Sequence, residues 1–165
     1  RPAGMRTGKT ISILITAAML GYPIAAASEA TGNYATDLAT VYGGYQHMLA
    51  MKEACDTAVP ATRSANDKAF SAWQAQHRVL IQELQRRVTM MIRLASQDEK
   101  EYARNLGKYE GAIVREREEY KETLLELGAD DLREQCRRVP EMLKGPDADL
   151  GKVYASELAV IRKRK

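Results

Sequence analysis

Apolar residues recur every three or four positions from Leu38 to Ile161, and nowhere do they alternate with polar ones over a useful length. That period puts them on one face of a helix and leaves no candidate strand, so the chain reads as an all-α helical bundle. The first helix is expected near Thr36 or Asp37, with Leu38, Val41, Tyr42, Tyr45, Met48, Leu49, Cys55 and Val59 on its apolar face. Gly43-Gly44 interrupts this face and marks either a kink or a close helix crossing, because glycine costs about 1 kcal/mol against alanine inside a helix. Pro60 ends the segment or starts the next.

A second helix is expected over residues 62 to 95, with Ala69, Trp73, Leu84, Val88 and Met91 in a near-heptad stripe. Ser96 and Glu99 have the spacing of a capping box for a third. Its seam is Tyr102, Leu106, Tyr109, Ile113, Tyr120, Leu124 and Leu127, with one polar layer at Glu116-Arg117. Gly128 suits the position after a helix end. Asp130 or Asp131 is expected to cap a short helix carrying Leu132, Cys136 and Val139, which Pro140 breaks or restarts. Gly145-Pro146-Asp147 predicts a turn before a last helix over residues 148 to 162. The expected architecture is two long central helices, the second and third, paired antiparallel with the flanking helices across them. A two-helix arm is the other arrangement the lengths permit.

From Met5 the chain has the order of a secretory signal. Arg6 and Lys9 are basic, Ile11 to Leu20 is apolar, and Ala25-Ala26-Ala27 supplies small residues for cleavage after Ala27. Ten apolar residues are too few for a bilayer core, which takes about 20. Residues 1–27 are therefore expected to be upstream sequence and a cleaved signal, and residues 28–165 one helical domain. The whole chain carries a net charge of +3, and all of this excess lies in Arg1, Arg6 and Lys9. The remainder is neutral, and its basic tail, Arg162 to Lys165, is expected to be solvated. No broad basic face is left for a phosphate backbone, so nucleic acid is not an expected partner. Nor does any later segment reach the length and hydropathy of a membrane span. Residues 28 to 35 are small and polar and are expected to lack structure.

Cys55 and Cys136 are the two cysteines. In an oxidising compartment an even pair bonds, and C-x-x-C redox spacing is absent, so one structural disulfide is expected. Each cysteine precedes a Val-Pro, Val59-Pro60 and Val139-Pro140, which places both in the last turn of a helix.

Catalytic chemistry is thin. The serines outside the signal sit in no strained nucleophile turn, phosphate loops are absent, and no C-x-x-C-H motif is present to attach a haem. His47, Met48 and Met51 fall within about one helical turn and are soft ligands of the kind copper takes, which makes them the candidate metal site. The alternative for methionines at this spacing is core packing. Arg115, Glu116, Arg117, Glu118, Glu119 and Glu122 form the candidate interaction face, the alternative being a solvated, salt-bridged helix surface. No cofactor is implied.

Three segments resemble a group of small uncharacterised exported helical proteins of Gram-negative bacteria. They are Y-x-x-M-L-A-M-K-E-A-C (Tyr45 to Cys55), A-N-D-K-A-x3-W-Q-A (Ala65 to Ala75) and D-x-x-L-x-x-V-Y (Asp147 to Tyr154). The last is also similar to the D-x-x-L-N-x-x-Y of lysozyme-inhibitor-type domains, with Gly151 in place of the asparagine. The resemblance implies export and a helical fold, and no catalytic residue. The expected function is a non-enzymatic periplasmic or secreted interaction protein of inhibitor, chaperone-like or envelope-stress type. The alternative is a small-ligand or metal-binding bundle of the same compartment.

Overall fold

A computed structural model describes residues 29–164. The signal region read from the sequence lies outside these residues. The described residues form an all-α bundle: α1 (Tyr34–Ala58), α2 (Arg63–Gln76), α3 (Arg78–Leu94), α4 (Glu99–Leu125), α5 (Ala129–Met142), α6 (Leu150–Val153) and α7 (Ala155–Lys163). Single 3₁₀ turns at Pro60–Thr62 and Pro146–Ala148 open the α1–α2 and α5–α6 connections. The disulfide joins Cys55 to Cys136 with a Cα–Cα distance of 5.4 Å.

The central element is α1. Leu38, Val41, Tyr45, Met48, Ala50, Ala54 and Cys55 are all buried, so it is covered on several sides at once. It runs antiparallel to α2–α3: Tyr45 stacks on Trp73, and Lys52 reaches Asp67 at 2.6 Å. The long antiparallel pairing is thus made by α1 with α2–α3, rather than by the second and third expected helices. Those two meet at their shared corner, where Arg93 pairs with Glu99 and lies over the Tyr102 ring. Helix α4 instead lies parallel to α1, with His47 stacked on Tyr120 and Gln46 accepting from Arg117. Because it has only one neighbour along most of its length, its seam residues are half-buried and Leu124 is its one fully buried side chain. There is no extended two-helix arm, since α2–α3 packs on α1 along its course.

Several boundaries depart from the sequence reading, each for a local reason. Residues 31–33 are structured: Thr31 and Gly32 donate to the Asp37 carboxylate, and Asn33 caps α1 through Thr36 N–H at 3.0 Å. The expected second helix divides at His77, whose Nδ1 donates to Trp73 O at 2.9 Å and whose Nε2 accepts from Leu150 N–H at 3.3 Å. The cap of α4 is Asp98, two residues later than expected; it accepts from Glu101 N–H at 2.7 Å. Ser96 turns back to donate to Ile92 O at 2.7 Å. Gly128 opens α5 rather than closing α4, with an ordinary negative φ.

Pro140 sits inside α5, which runs on to Met142, so Cys136 lies in mid-helix while Cys55 is in the last turn of α1. A proline has no N–H to offer the carbonyl four residues back. That carbonyl is Cys136 O, and buried Asn66 of α2 donates to it instead, at 3.1 Å. The tail is not simply solvated: Arg162 pairs with Glu83 at 2.7 Å, and Arg87 donates to Ile161 O and Arg164 O.

Gly43-Gly44 resolves as a close crossing, with α1 helical throughout it. Only Gly44 makes the approach. A Cβ there would run into the Tyr154 hydroxyl and lie 2.6 Å from Cε2 and Cζ of the same ring, whereas one at Gly43 would meet nothing nearer than Glu116 Oε1 at 3.8 Å. The three segments that carry the resemblance also meet here: Tyr45 stacks on Trp73, and Trp73 Nε1 donates to Ala148 O at 2.7 Å.

Candidate functional site

Where α1, α4 and α5 converge on the disulfide they leave a groove of about 400 Å³. The parallel course of α4 brings Tyr120 and Leu124 to one side, and the cross-link holds α5 on the other. Its apolar lining comes from Met51, Cys55, Leu124, Leu132, Val139 and Met142. Gln135, Arg138, Glu141 and Asp147 supply the polar lining. The volume falls in the range of small-ligand sites, and an apolar lining with a few polar groups is their usual composition. A second recess of similar volume lies where Gly32 and Tyr34 approach the end of α7, and there Arg164 sits over the Tyr34 ring.

The three residues read as a metal site do not converge. Met48 is buried in the core. His47 stacks on Tyr120 with ring centroids 4.2 Å apart, and its Nε2 is 3.7 Å from Glu116. Met51 lines the groove. Residues 47 and 51 share a face at i,i+4, while 48 is turned about 100° away. Among the described residues no group of three or more His, Cys, Asp or Glu side chains is placed to hold a metal ion.

The interaction face is divided between two directions. Arg117 turns in to α1, where its Nε lies 3.6 Å from Glu53 Oε1 without a hydrogen bond, and its terminal nitrogen reaches Gln46 at 3.5 Å. Glu116 approaches His47. Together they are the polar layer of the seam, matched by polar residues on α1. Arg115, Glu119 and Glu122 stay exposed, and Glu118 pairs with Lys121 at 2.6 Å.

Burial and the neighbouring Tyr42 and Glu116 push the Tyr109 hydroxyl up to about 12. Burial likewise raises Tyr42, with Tyr45 adding to it. Both hydroxyls are therefore held in the protonated form at neutral pH. The groove itself was missed in the sequence. Its lining is drawn from α1, α4, α5 and the turn after α5, and of these residues only Met51 and Cys55 had been singled out for their chemistry. The expected Cys55–Cys136 disulfide was the signal that these two helix segments belong together.

Among the described residues no helix is long and apolar enough to cross a membrane. No protein-family model, no curated protein and no solved structure matches this chain.

Proposed function

We propose that the protein is a non-enzymatic binding protein of the cell envelope, exported to the periplasm or secreted, and that it takes an apolar side chain of a protein partner into the α1–α4–α5 groove. The observation that carries this reading is the groove of about 400 Å³, apolar inside and polar at its edge, built against the disulfide. A disulfide in this position fits an oxidising compartment. Support for binding rather than catalysis comes from the histidines. His77 is buried with both nitrogens engaged, and His47 is stacked and beside a carboxylate. Both histidines are thus already engaged within the fold.

A photo-crosslinking residue at position 142 tests the assignment, with one at exposed Met90 as the control, in periplasmic extract. A partner crosslinked from 142, not from 90, and lost when Met51→Trp fills the groove, supports it. Equal crosslinking from both positions refutes it. A small apolar molecule retained in native mass spectra, and displaced by Met51→Trp, would favour the small-ligand alternative.

A further inference from the structure

We propose that the protein pairs with a second copy of itself through the outer face of α4, the two helices lying antiparallel and crossing at Gly111. This face is distinct from the groove and points away from α1. At 100° per residue, positions 100, 104, 107, 108, 111, 114, 115, 118, 122 and 125 of α4, with 126 just past its end, fall within about 60° of one line, opposite the Tyr102–Tyr109–Tyr120 seam; Leu125, at the end of the line, is partly buried against the core. No element covers the middle of that line: Gly107 and Gly111 have no atom within 4 Å of where a Cβ would be, and Val114 is 50% exposed.

The charges along this face are segregated. Lys100, Arg104 and Lys108 occupy its first half, and Glu118, Glu122 and Glu126 its second, with Arg115 the one cation among them. A solvated, self-paired helix surface would interleave the signs at i,i+4. Here only the i,i+3 pairs Arg104–Glu101 at 3.5 Å and Glu118–Lys121 at 2.6 Å are formed on or beside the face. Lys100, Lys108, Glu122 and Glu126 make no ion pair among the described residues.

A helix of this polarity is complementary to itself turned end for end. With Gly111 on the two-fold axis, Lys100 meets Glu122 of the other copy and Arg104 meets Glu118, each pair occurring twice. The stem of Lys108 covers Val114, and Arg115 falls opposite Gly107, where it faces no cation. A parallel pairing would set like charges together and is disfavoured. The two glycines also acquire a reason. Glycine is unfavourable inside a helix, and neither has a positive φ or a crowded neighbour within the chain. At a crossing point, the lack of a Cβ lets two helices approach closely. An interface of one helix pair is at the small end of specific contacts, so the expected association is weak and reversible.

Sedimentation velocity of the purified protein, from 1 to about 100 µM at low salt, should show a monomer–dimer equilibrium that shifts to monomer at 0.5 M salt. The variant Lys100→Glu/Arg104→Glu should raise the dimer dissociation constant by about 100-fold or more, and so should Glu118→Lys/Glu122→Lys. Mixed in equal amounts, the two variants should form a heterodimer, because each then carries the charge the other lacks. Gly111→Leu should weaken the dimer while raising the melting temperature of the monomer. Circular dichroism confirms that each variant is folded. A wild-type protein that stays monomeric at 100 µM in low salt overturns the proposal. A dimer that survives both charge variants and Gly111→Leu overturns it equally.

Discussion

Adding one methyl group at Gly44 gives a direct measure of how tightly α1 meets the final segment of the chain. The ring of Tyr154, 7% exposed, lies across the backbone at this point, with Cε2 and Cζ 2.6 Å from where a Cβ would stand. Ordinary contact begins near 3.4 Å and the Tyr154 hydroxyl stands closer still than these carbons, so ring or helix must retreat by about an ångström or more. Overpacking of a buried site costs about 1–3 kcal/mol, and a rigid ring held between helices belongs at the upper end. Against this stands about 1 kcal/mol gained by alanine over glycine in a helix interior. The net loss for Gly44→Ala is therefore about 2 kcal/mol, or about 8 °C in melting temperature for a domain of this size. Gly43→Ala is the internal control. Its added methyl meets nothing nearer than 3.8 Å, so only the helix term remains and the variant gains up to about 1 kcal/mol. Thermal and urea unfolding of both variants measure the two values. In a Tyr154→Ala background the penalty at 44 should vanish, and alanine there should behave as it does at 43. If Gly44→Ala is as stable as Gly43→Ala in the intact protein, the close-crossing account is wrong.

Asn66→Ala should cost about 1–3 kcal/mol by urea unfolding, because it leaves Cys136 O buried without a donor; adding Pro140→Ala should recover part of the loss by restoring the helical N–H. Removing the disulfide with Cys55→Ser/Cys136→Ser should lower stability by about 4 kcal/mol in the chain-entropy model, and the unreduced wild type should take up no alkylating agent. Glu83 is held below the usual carboxylate range chiefly by the Arg162 hydrogen bond, with Arg87 adding to it against partial burial. Its contribution is therefore complete above its unfolded value, near 4.5, and is lost as pH falls through the lower folded value. The stability gap between wild type and Glu83→Gln should thus be constant from pH 7 to 5 and close in more acidic solution. A gap that persists at pH 2 would contradict the pairing.

The sequence by itself determined the helical class, most helix faces and the cysteine pair, because these depend on local period and count. Leu38, Val41, Tyr45, Met48, Leu84, Val88, Leu132, Leu158 and Ile161 are buried as their spacing predicts. The polar layer at Glu116-Arg117 was also legible as a break in the seam. Which helices pair, and in which direction, depended on tertiary structure. The heptad of α4 states only that one face is apolar, and either α1 or α3 satisfies it equally. For α4 the outcome rests on Tyr120 stacking on His47 and Arg117 reaching Gln46 of α1; for the other helices it rests on the disulfide, on Tyr154 fitting over Gly44 and on Trp73 reaching Ala148 O, all contacts between residues far apart in the chain. The break at His77 has the same origin, since its partner Leu150 is supplied by the last segment. So has the groove: its lining residues come from α1, α4, α5 and the turn after α5, and become one surface only once the cross-link holds α5 beside α1.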